Sequence, residues 1–273
     1  MLSQSQIDQF QRDGFLNGGL LLNEAEVEEL RSEVMRVIDQ RERNDIPQPV
    51  HARNLSTDDS KPVWQIVNIW QASPPFRRLM MRPEITSSIS QLTGAQELRI
   101  WHDQIQYKPP EIGGTTNWHQ DAPLWPIIAP MTEVTAWVAC DDADEANGCM
   151  SMVPGSHTWG NQIDFLNTIK VYDSLPPQYD GHPVQVVRCP VQKGEVHFHH
   201  SLTWHGSHSN TSGRPRRAIA LHYMTGETRY VAAGHHVMKN YVTVADGEIL
   251  RGDAFPLVFP VKTKAWRKTG QQL

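Results

Sequence analysis

Apolar positions follow two different periods along this chain, and the change falls near Leu98. Before it the spacing is helical. Ser3 and Gln6 have the separation of a capping box, and Ile7 and Phe10 are the apolar positions of a short helix that Gly14 ends. Asn23 and Glu26 repeat the cap, and Val27, Leu30, Val34, Val37 and Ile38 then form the stripe of an amphipathic helix. The stretch up to Gln40 is read as helical throughout. A third helix is predicted from Pro83, a first-turn proline, to Gly94 as its C-cap, with Ile85, Ile89 and Leu92 turned inward.

Beyond Leu98, short runs rich in β-branched and aromatic residues are broken by Pro, Gly, Asp and Asn. Strands are predicted over Leu98–Lys108, Glu133–Cys140, Met150–Val153, Val184–Cys189, Glu195–His199 and Arg216–Met224. Many short strands without interleaved long helices predict a mainly β, α+β architecture: a sandwich or jelly roll with the N-terminal helices packed on one sheet. The segment Thr158–Pro183 is long, poorly periodic and rich in turn residues, and it reads as a lid or insertion. A length of 273 residues allows two domains, but β-sandwiches and barrels reach that size as one. One domain over 1–273 is therefore expected, with helical support over 1–97, a jelly-roll core over 98–225 and a C-terminal extension over 226–273.

Charge narrows the partners. Lys+Arg 25 against Asp+Glu 30 gives a formal net charge of −5, which argues against a phosphate-gripping nucleic-acid binder. Hydrophobic content of 39% and charged content of 20% suit a folded globular chain and exclude a disordered one. No apolar run approaches the roughly 18 residues of a membrane helix, and the first residues lack a basic and then apolar signal pattern. Cys140, Cys149 and Cys189 are odd in number and widely spaced, as free thiols would be, so a reducing cytoplasm is expected. The expected partner is a small-molecule substrate, not nucleic acid or a membrane; the sequence carries no signal for oligomeric state.

The histidines carry the candidate chemistry. His197, His199, His200, His205 and His208 crowd one segment, while His119 stands apart, before Gln120 and Asp121. In a strand, residues i and i+2 share a face, so His119 and Asp121 can address one ion. A distant histidine would complete a two-histidine, one-carboxylate facial triad, which leaves coordination positions open on Fe(II). His205 is the natural third ligand, because it lies between the strand ending at His199 and the strand opening at Arg216. Iron oxygenases of this type hold 2-oxoglutarate, whose far carboxylate suits a planar guanidinium. Alternation puts Arg216 on one face with Ala218, Ala220 and His222, where two small residues leave room inside a barrel. Arg217 falls with Ile219, Leu221 and Tyr223 on the packed or outer side. Taken singly, these features have plainer readings: a His-x-Asp turn, a polar histidine strand, two solvated arginines.

In combination they resemble a known family. Trp118-His119-Gln120-Asp121, Asn147-Gly148-Cys149, Val153-Pro154-Gly155-Ser156-His157, and His205-Gly206-Ser207 followed by Arg216 resemble the phytanoyl-CoA dioxygenase family in order and spacing. Those proteins are non-haem Fe(II)/2-oxoglutarate-dependent oxygenases on a double-stranded β-helix, and the resemblance runs from the N-terminal helices to about Tyr223. It implies that His119, Asp121 and His205 bind iron, that Arg216 with Ser207 holds the distal carboxylate of 2-oxoglutarate, and that O2 is the co-reactant. It also implies an aromatic beside the cosubstrate at Trp137, a lining residue at Gln104, and a neighbouring position at Gln120. Each has a structural alternative: a core indole for Trp137, a backbone-satisfying amide for Gln104, a turn hydroxyl for Ser207. Related halogenases lack the carboxylate where Asp121 stands, so the resemblance implies hydroxylation or desaturation.

Two other classes stay open at this point. One is a cupin-like Zn or Mn isomerase or hydrolase using His197-Phe198-His199, which leaves Arg216 without a task. The other is a non-catalytic barrel that binds without turnover. Position alone nominates Thr158–Pro183, Trp64–Phe76 and Glu227–Val244 as pocket walls, with Trp118, Trp125 and His200 flanking the metal motifs.

Overall fold

Ser3 and Asn23 cap their helices as their spacing requires. In the computed structural model, which describes residues 1–54, 64–111 and 113–260, Ser3 Oγ accepts the Gln6 N–H at 3.3 Å and the Gln6 side chain accepts the Ser3 N–H at 2.9 Å. Helix α1 spans Gln4–Asp13 and ends at Gly14, left-handed at φ 83°. Helix α2 (Glu24–Asp39) opens on the reciprocal Asn23/Glu26 pair and buries Val27, Leu30, Val34, Val37 and Ile38 in one cluster with Phe198, Ile219, Leu221 and Tyr223. Helix α3 (Pro74–Met80) is unforeseen, and α4 (Pro83–Thr93) has the expected first-turn proline and Gly94 cap.

The all-helical reading up to Gln40 fails at β1 (Phe15–Leu20), an edge strand paired with Glu195–His200. No alternation announces it, because its pairing is interrupted by a bulge between Asn17 and Gly19 and it carries Gly18 where a side chain would alternate. A Cβ at Gly18 would lie 2.6 Å from the Phe198 ring, so glycine is what lets the strand close on the sheet.

The remaining strands are β2 (His51–Asn54), β3 (Trp64–Val67), β4 (Leu98–Lys108), β5 (Thr116–His119), β6 (Val134–Ala139) and β7 (Met150–Met152). They continue with β8 (Val187–Cys189), β9 (Glu195–His200), β10 (His205–Ser207), β11 (Arg216–Thr225) and β12 (Leu257–Phe259), and two-residue pairings supplement them. The large antiparallel sheet runs β1-β9-β6-β11-β4-β3-β2 with β12 added on β4, and the small one runs β8-β7-β10-β5. This is a jelly-roll core with the helices on one sheet. The C-terminal extension is no appendage, since β12 returns to the large sheet; residues 261–273 lie outside the described residues. The segment Thr158–Pro183 folds into short helical turns and a small hairpin, its Leu166 and Tyr172 clustered with Trp118, Val153 and Trp204. No helix among the described residues is long and apolar enough to cross a membrane.

Alternation along β11 sorts its side chains as the sequence indicates. Ile219, Leu221 and Tyr223 enter the helix-covered core, while Arg216, Ala218, Ala220 and His222 turn to the space between the sheets. Arg217 lies outside, its Nε donating to Asp141 at 2.8 Å, and Arg31 of α2 reaches the same carboxylate at 2.6 Å. Removing that shared acid would strand two guanidiniums, so Asp141→Asn is expected to lower the unfolding free energy by about 2 kcal/mol, between exposed and buried ion-pair values. An unchanged urea midpoint would show that the cluster contributes nothing to stability.

Candidate active site

Two loops and two strands bring the three candidate ligands together. His119 ends β5 and His205 opens β10, and they are direct cross-strand partners with ring centroids 4.1 Å apart. Asp121 follows at the first turn of a short 3-10 helix, where its N–H donates to the Ser201 carbonyl at 2.8 Å. The potential ligand atoms of His119, Asp121 and His205 all lie within 4.8 Å of one another. His119 Nδ1 lies 2.8 Å from the Asn117 carbonyl and His205 Nδ1 lies 2.9 Å from the Thr203 carbonyl. A carbonyl can only accept, so each Nδ1 donates there and each Nε2 is the nitrogen left to face Asp121 and a metal. Against its burial, the Asp121 carboxylate raises the His119 pKa, so metal binding would displace a proton from its Nε2.

The carboxylate is surrounded by imidazoles. Asp121 Oδ1 is 3.5 Å from His119 Nε2 and 3.6 Å from His205 Nε2, while Oδ2 is 3.4 Å from His199 Nε2. Thr135 Oγ1 donates to Oδ2 at 3.2 Å, and having spent its proton it accepts from His222 Nδ1 at 2.8 Å. Burial by itself would raise the Asp121 carboxyl, but His205, His119, His199 and His222 together hold it well below the usual carboxylate range. Burial, and then the neighbouring His119, push His205 well below the ordinary imidazole range, which keeps it in the neutral, ligating form. Two imidazoles whose Nε2 atoms converge on an ionised carboxylate are a donor set that suits Fe(II).

A cation lies against the Trp137 wall of the cavity. Arg216 is 1% exposed, and its guanidinium carbon lies 5.5 Å from the centroid of the Trp137 ring. Burial lowers its pKa to about 10, so it remains charged at neutral pH. Its Nε and Nη1 are buried with no hydrogen-bond partner among the described residues, an expensive arrangement unless an anion is received there. Trp137 and Ser207 line the same cavity as the three ligands. Trp137 Nε1 donates to Gln106 Oε1 at 3.2 Å, which fixes the indole edge.

Two of the expected residues are placed differently. Gln104 shares the inner face of β4 with Gln106, but Gln106 is the one that lines the cavity, because it is one inward position nearer Arg216. Gln120 is turned away from the cavity, as strand alternation after His119 demands. Its amide donates to the carbonyls of Gly160 and Leu202 at 2.8 and 2.7 Å and accepts the Gln162 N–H at 2.7 Å. Both of its donors are consumed by backbone, so it fastens the Thr158–Pro183 segment to the barrel. Trp118 has a similar task, stacking on Tyr172 and donating to its carbonyl at 2.8 Å. Thr135, His199, His222 and Lys108 were given no part in the iron site, although His222 shares parity with Arg216 and Lys108 with Gln104 and Gln106.

Comparison with known proteins agrees with this geometry. The phytanoyl-CoA dioxygenase family profile matches residues 10–218, a span that contains His119, Asp121, His205 and Arg216. The chain is 25% identical over 254 residues to the peroxisomal phytanoyl-CoA dioxygenase of Rattus norvegicus, covering 85% of this chain and 71% of that protein. It is 29% identical over 247 residues to the ectoine dioxygenase of Bordetella parapertussis, covering 83% and 76% respectively. Among solved structures, a non-heme alpha ketoglutarate dependent carbocyclase from nogalamycin biosynthesis superposes with a TM-score of 0.77 at 27% identity, over 94% of this chain and 96% of that one. With its jelly-roll core and convergent triad, this chain belongs to the phytanoyl-CoA dioxygenase family of oxygenases that depend on non-haem iron and 2-oxoglutarate.

Proposed function

We propose that the chain hydroxylates an unactivated C–H bond of a small metabolite, with His119, Asp121 and His205 as the iron ligands and Arg216, Ser207 and Trp137 as the cosubstrate site. The observation that carries this reading is a cavity lined by a buried metal-donor triad, Ser207 and Trp137, with the unpartnered guanidinium of Arg216 against the Trp137 ring. Bound iron, 2-oxoglutarate and O2 supply the oxidising power, with succinate and CO2 as co-products. The protein's part is positional. His119 and His205 are oriented by the Asn117 and Thr203 carbonyls, Asp121 is kept ionised by its imidazole neighbours, and Arg216 awaits a carboxylate with Trp137 across its face. Enclosure between the sheets limits side reactions with water. The alternative built on His197 and His199 gains no support, because His197 stacks on Phe15 and the only three-ligand group among the described residues is the triad. Three buried, unpaired cysteines support a reducing compartment such as the cytoplasm for the same reading.

The test is succinate release from 2-oxoglutarate with Fe(II) and ascorbate, screened against a small-metabolite library. The expected result is a compound that stimulates succinate formation and gains one oxygen atom in step with it. Absence of succinate under every metal condition would overturn the reading in favour of a barrel that only binds.

A further inference from the structure

The turn between β9 and β10 meets the metal-binding segments with three successive carbonyls. Ser201 O accepts the N–H groups of Asp121 at 2.8 Å and Ala122 at 3.1 Å. Leu202 O accepts the Gln120 amide at 2.7 Å, and Thr203 O receives His205 Nδ1 at 2.9 Å. Two of the three proposed iron ligands, Asp121 and His205, are therefore set by this one turn. Ser201 and Thr203 are fully buried, and the hydroxyl of each ties the turn to a distant segment. Thr203 Oγ1 donates to the Gly14 carbonyl at 3.0 Å, and Ser201 Oγ donates to Glu133 Oε2 at 3.0 Å. The Ser201 N–H also donates to the Glu133 carbonyl, at 2.9 Å.

Glu133 stands one residue before β6, with the strand parity of Thr135 and Trp137. It is 1% exposed, and its Oε1 is buried with no hydrogen-bond partner among the described residues. Burial, with a smaller push from the Asp121 charge, raises its pKa to about 7, against the bonds it accepts from its own N–H and from Ser201. An apolar side chain would avoid that desolvation, so stability does not account for an acid at this position. What the acid does is hold one hydroxyl of the turn. We propose that Glu133 is a positioning residue of the metal site: through Ser201 it fixes the turn whose carbonyls orient Asp121 and His205. The inference rests on the proposed assignment of the triad to iron. Glu133 hydrogen-bonds to none of the three ligands among the described residues, so its effect on the metal passes through the turn.

Co(II) titration of the full chain tests this, read by visible absorption bands that report the geometry around the metal. Loss of an outer partner of metal ligands costs roughly 10–100-fold in affinity, so E133L and S201A are each expected to weaken Co(II) binding at least about tenfold and to shift the bands. E133Q keeps an oxygen for the Ser201 hydroxyl and matches the protonated acid in shape, so it should retain the affinity and bands of the wild type. The double variant E133L/S201A should bind no more weakly than either single variant, because both remove the same interaction. D141N lowers stability from outside the barrel and should leave Co(II) affinity unchanged; a loss equal to that of E133L would mark general destabilisation and overturn the proposal. Wild-type affinity and bands in E133L and S201A, beside loss of the metal in D121A, would overturn the role of Glu133 while leaving the triad intact. Undiminished binding in D121A as well would overturn the triad too. Should E133L fail to fold, S201A, which loses only a hydroxyl, carries the test, and unchanged affinity and bands in it overturn the proposal.

Discussion

Asp121→Ala is expected to reduce succinate release by more than about 10²-fold, because even the outer partners of metal ligands cost 10–100-fold when removed and Asp121 stands in the ligand set itself. The carboxylate also neutralises its surroundings. His119, His205 and His199 lie 3.4 to 3.6 Å from it, so its loss leaves imidazoles facing one another with no anion among them. Mn(II) is expected to raise the thermal midpoint of the wild type and to leave that of the variant unchanged. Asp121→Asn separates charge from shape, since it keeps an oxygen for Thr135 Oγ1 but removes the negative charge. Metal affinity in the Asn variant should fall nearly as far as in the Ala variant. Full turnover in either variant would remove Asp121 from the metal site and take the triad with it.

Arg216→Met is expected to weaken 2-oxoglutarate binding by roughly 10²-fold, the cost of losing a charged donor that makes two hydrogen bonds to one carboxylate. Metal binding in the absence of cosubstrate should not change, because Arg216 touches none of the three ligands among its described contacts. Arg216→Lys should recover only part of the affinity, since an ammonium lacks the planar two-point geometry. The adjacent Arg217 is the internal control. It is bound to Asp141 on the outer side of the barrel, so Arg217→Met should lower the urea midpoint and leave cosubstrate affinity alone. Equal losses of 2-oxoglutarate affinity in the two variants would show that the effect is general destabilisation and not recognition.

The contrast between these neighbouring arginines shows how far alternation reaches. A residue's parity in a strand is a local property, and it was enough to send Arg216 inward and Arg217 outward. The same is true of the helix caps, where Ser3 with Gln6 and Asn23 with Glu26 bond within one turn of the chain. On β4 the same parity sets Gln104 and Gln106 on one face. It could not say that Gln106 would reach the cavity in its place, because that depends on how far along β4 the partner strand β11 is set.

The other misreadings have the same origin. Gln120 stands between two ligands in sequence, yet its amide faces the opposite way and is used up on Gly160, Leu202 and Gln162. Gly160 and Gln162 belong to the segment it holds down, and nothing in the local sequence shows that this segment crosses behind the strand. β1 was invisible because an edge strand with a bulge and Gly18 has no amphipathic pattern of its own; Phe198 and the rest of β9 define it.

By itself, the order of residues determined the helix caps, the face of each β11 side chain and the candidate metal donors, since these follow from bonding within a turn, from the two-residue pleat and from the chemistry of imidazole and carboxylate. Only the tertiary structure decided that His199, His222 and Thr135 would surround Asp121, and that Lys108 would stand opposite Arg216. Those relationships are set by the register between strands distant in the chain. Register is chosen by the packing of the whole barrel, which no short stretch of sequence encodes.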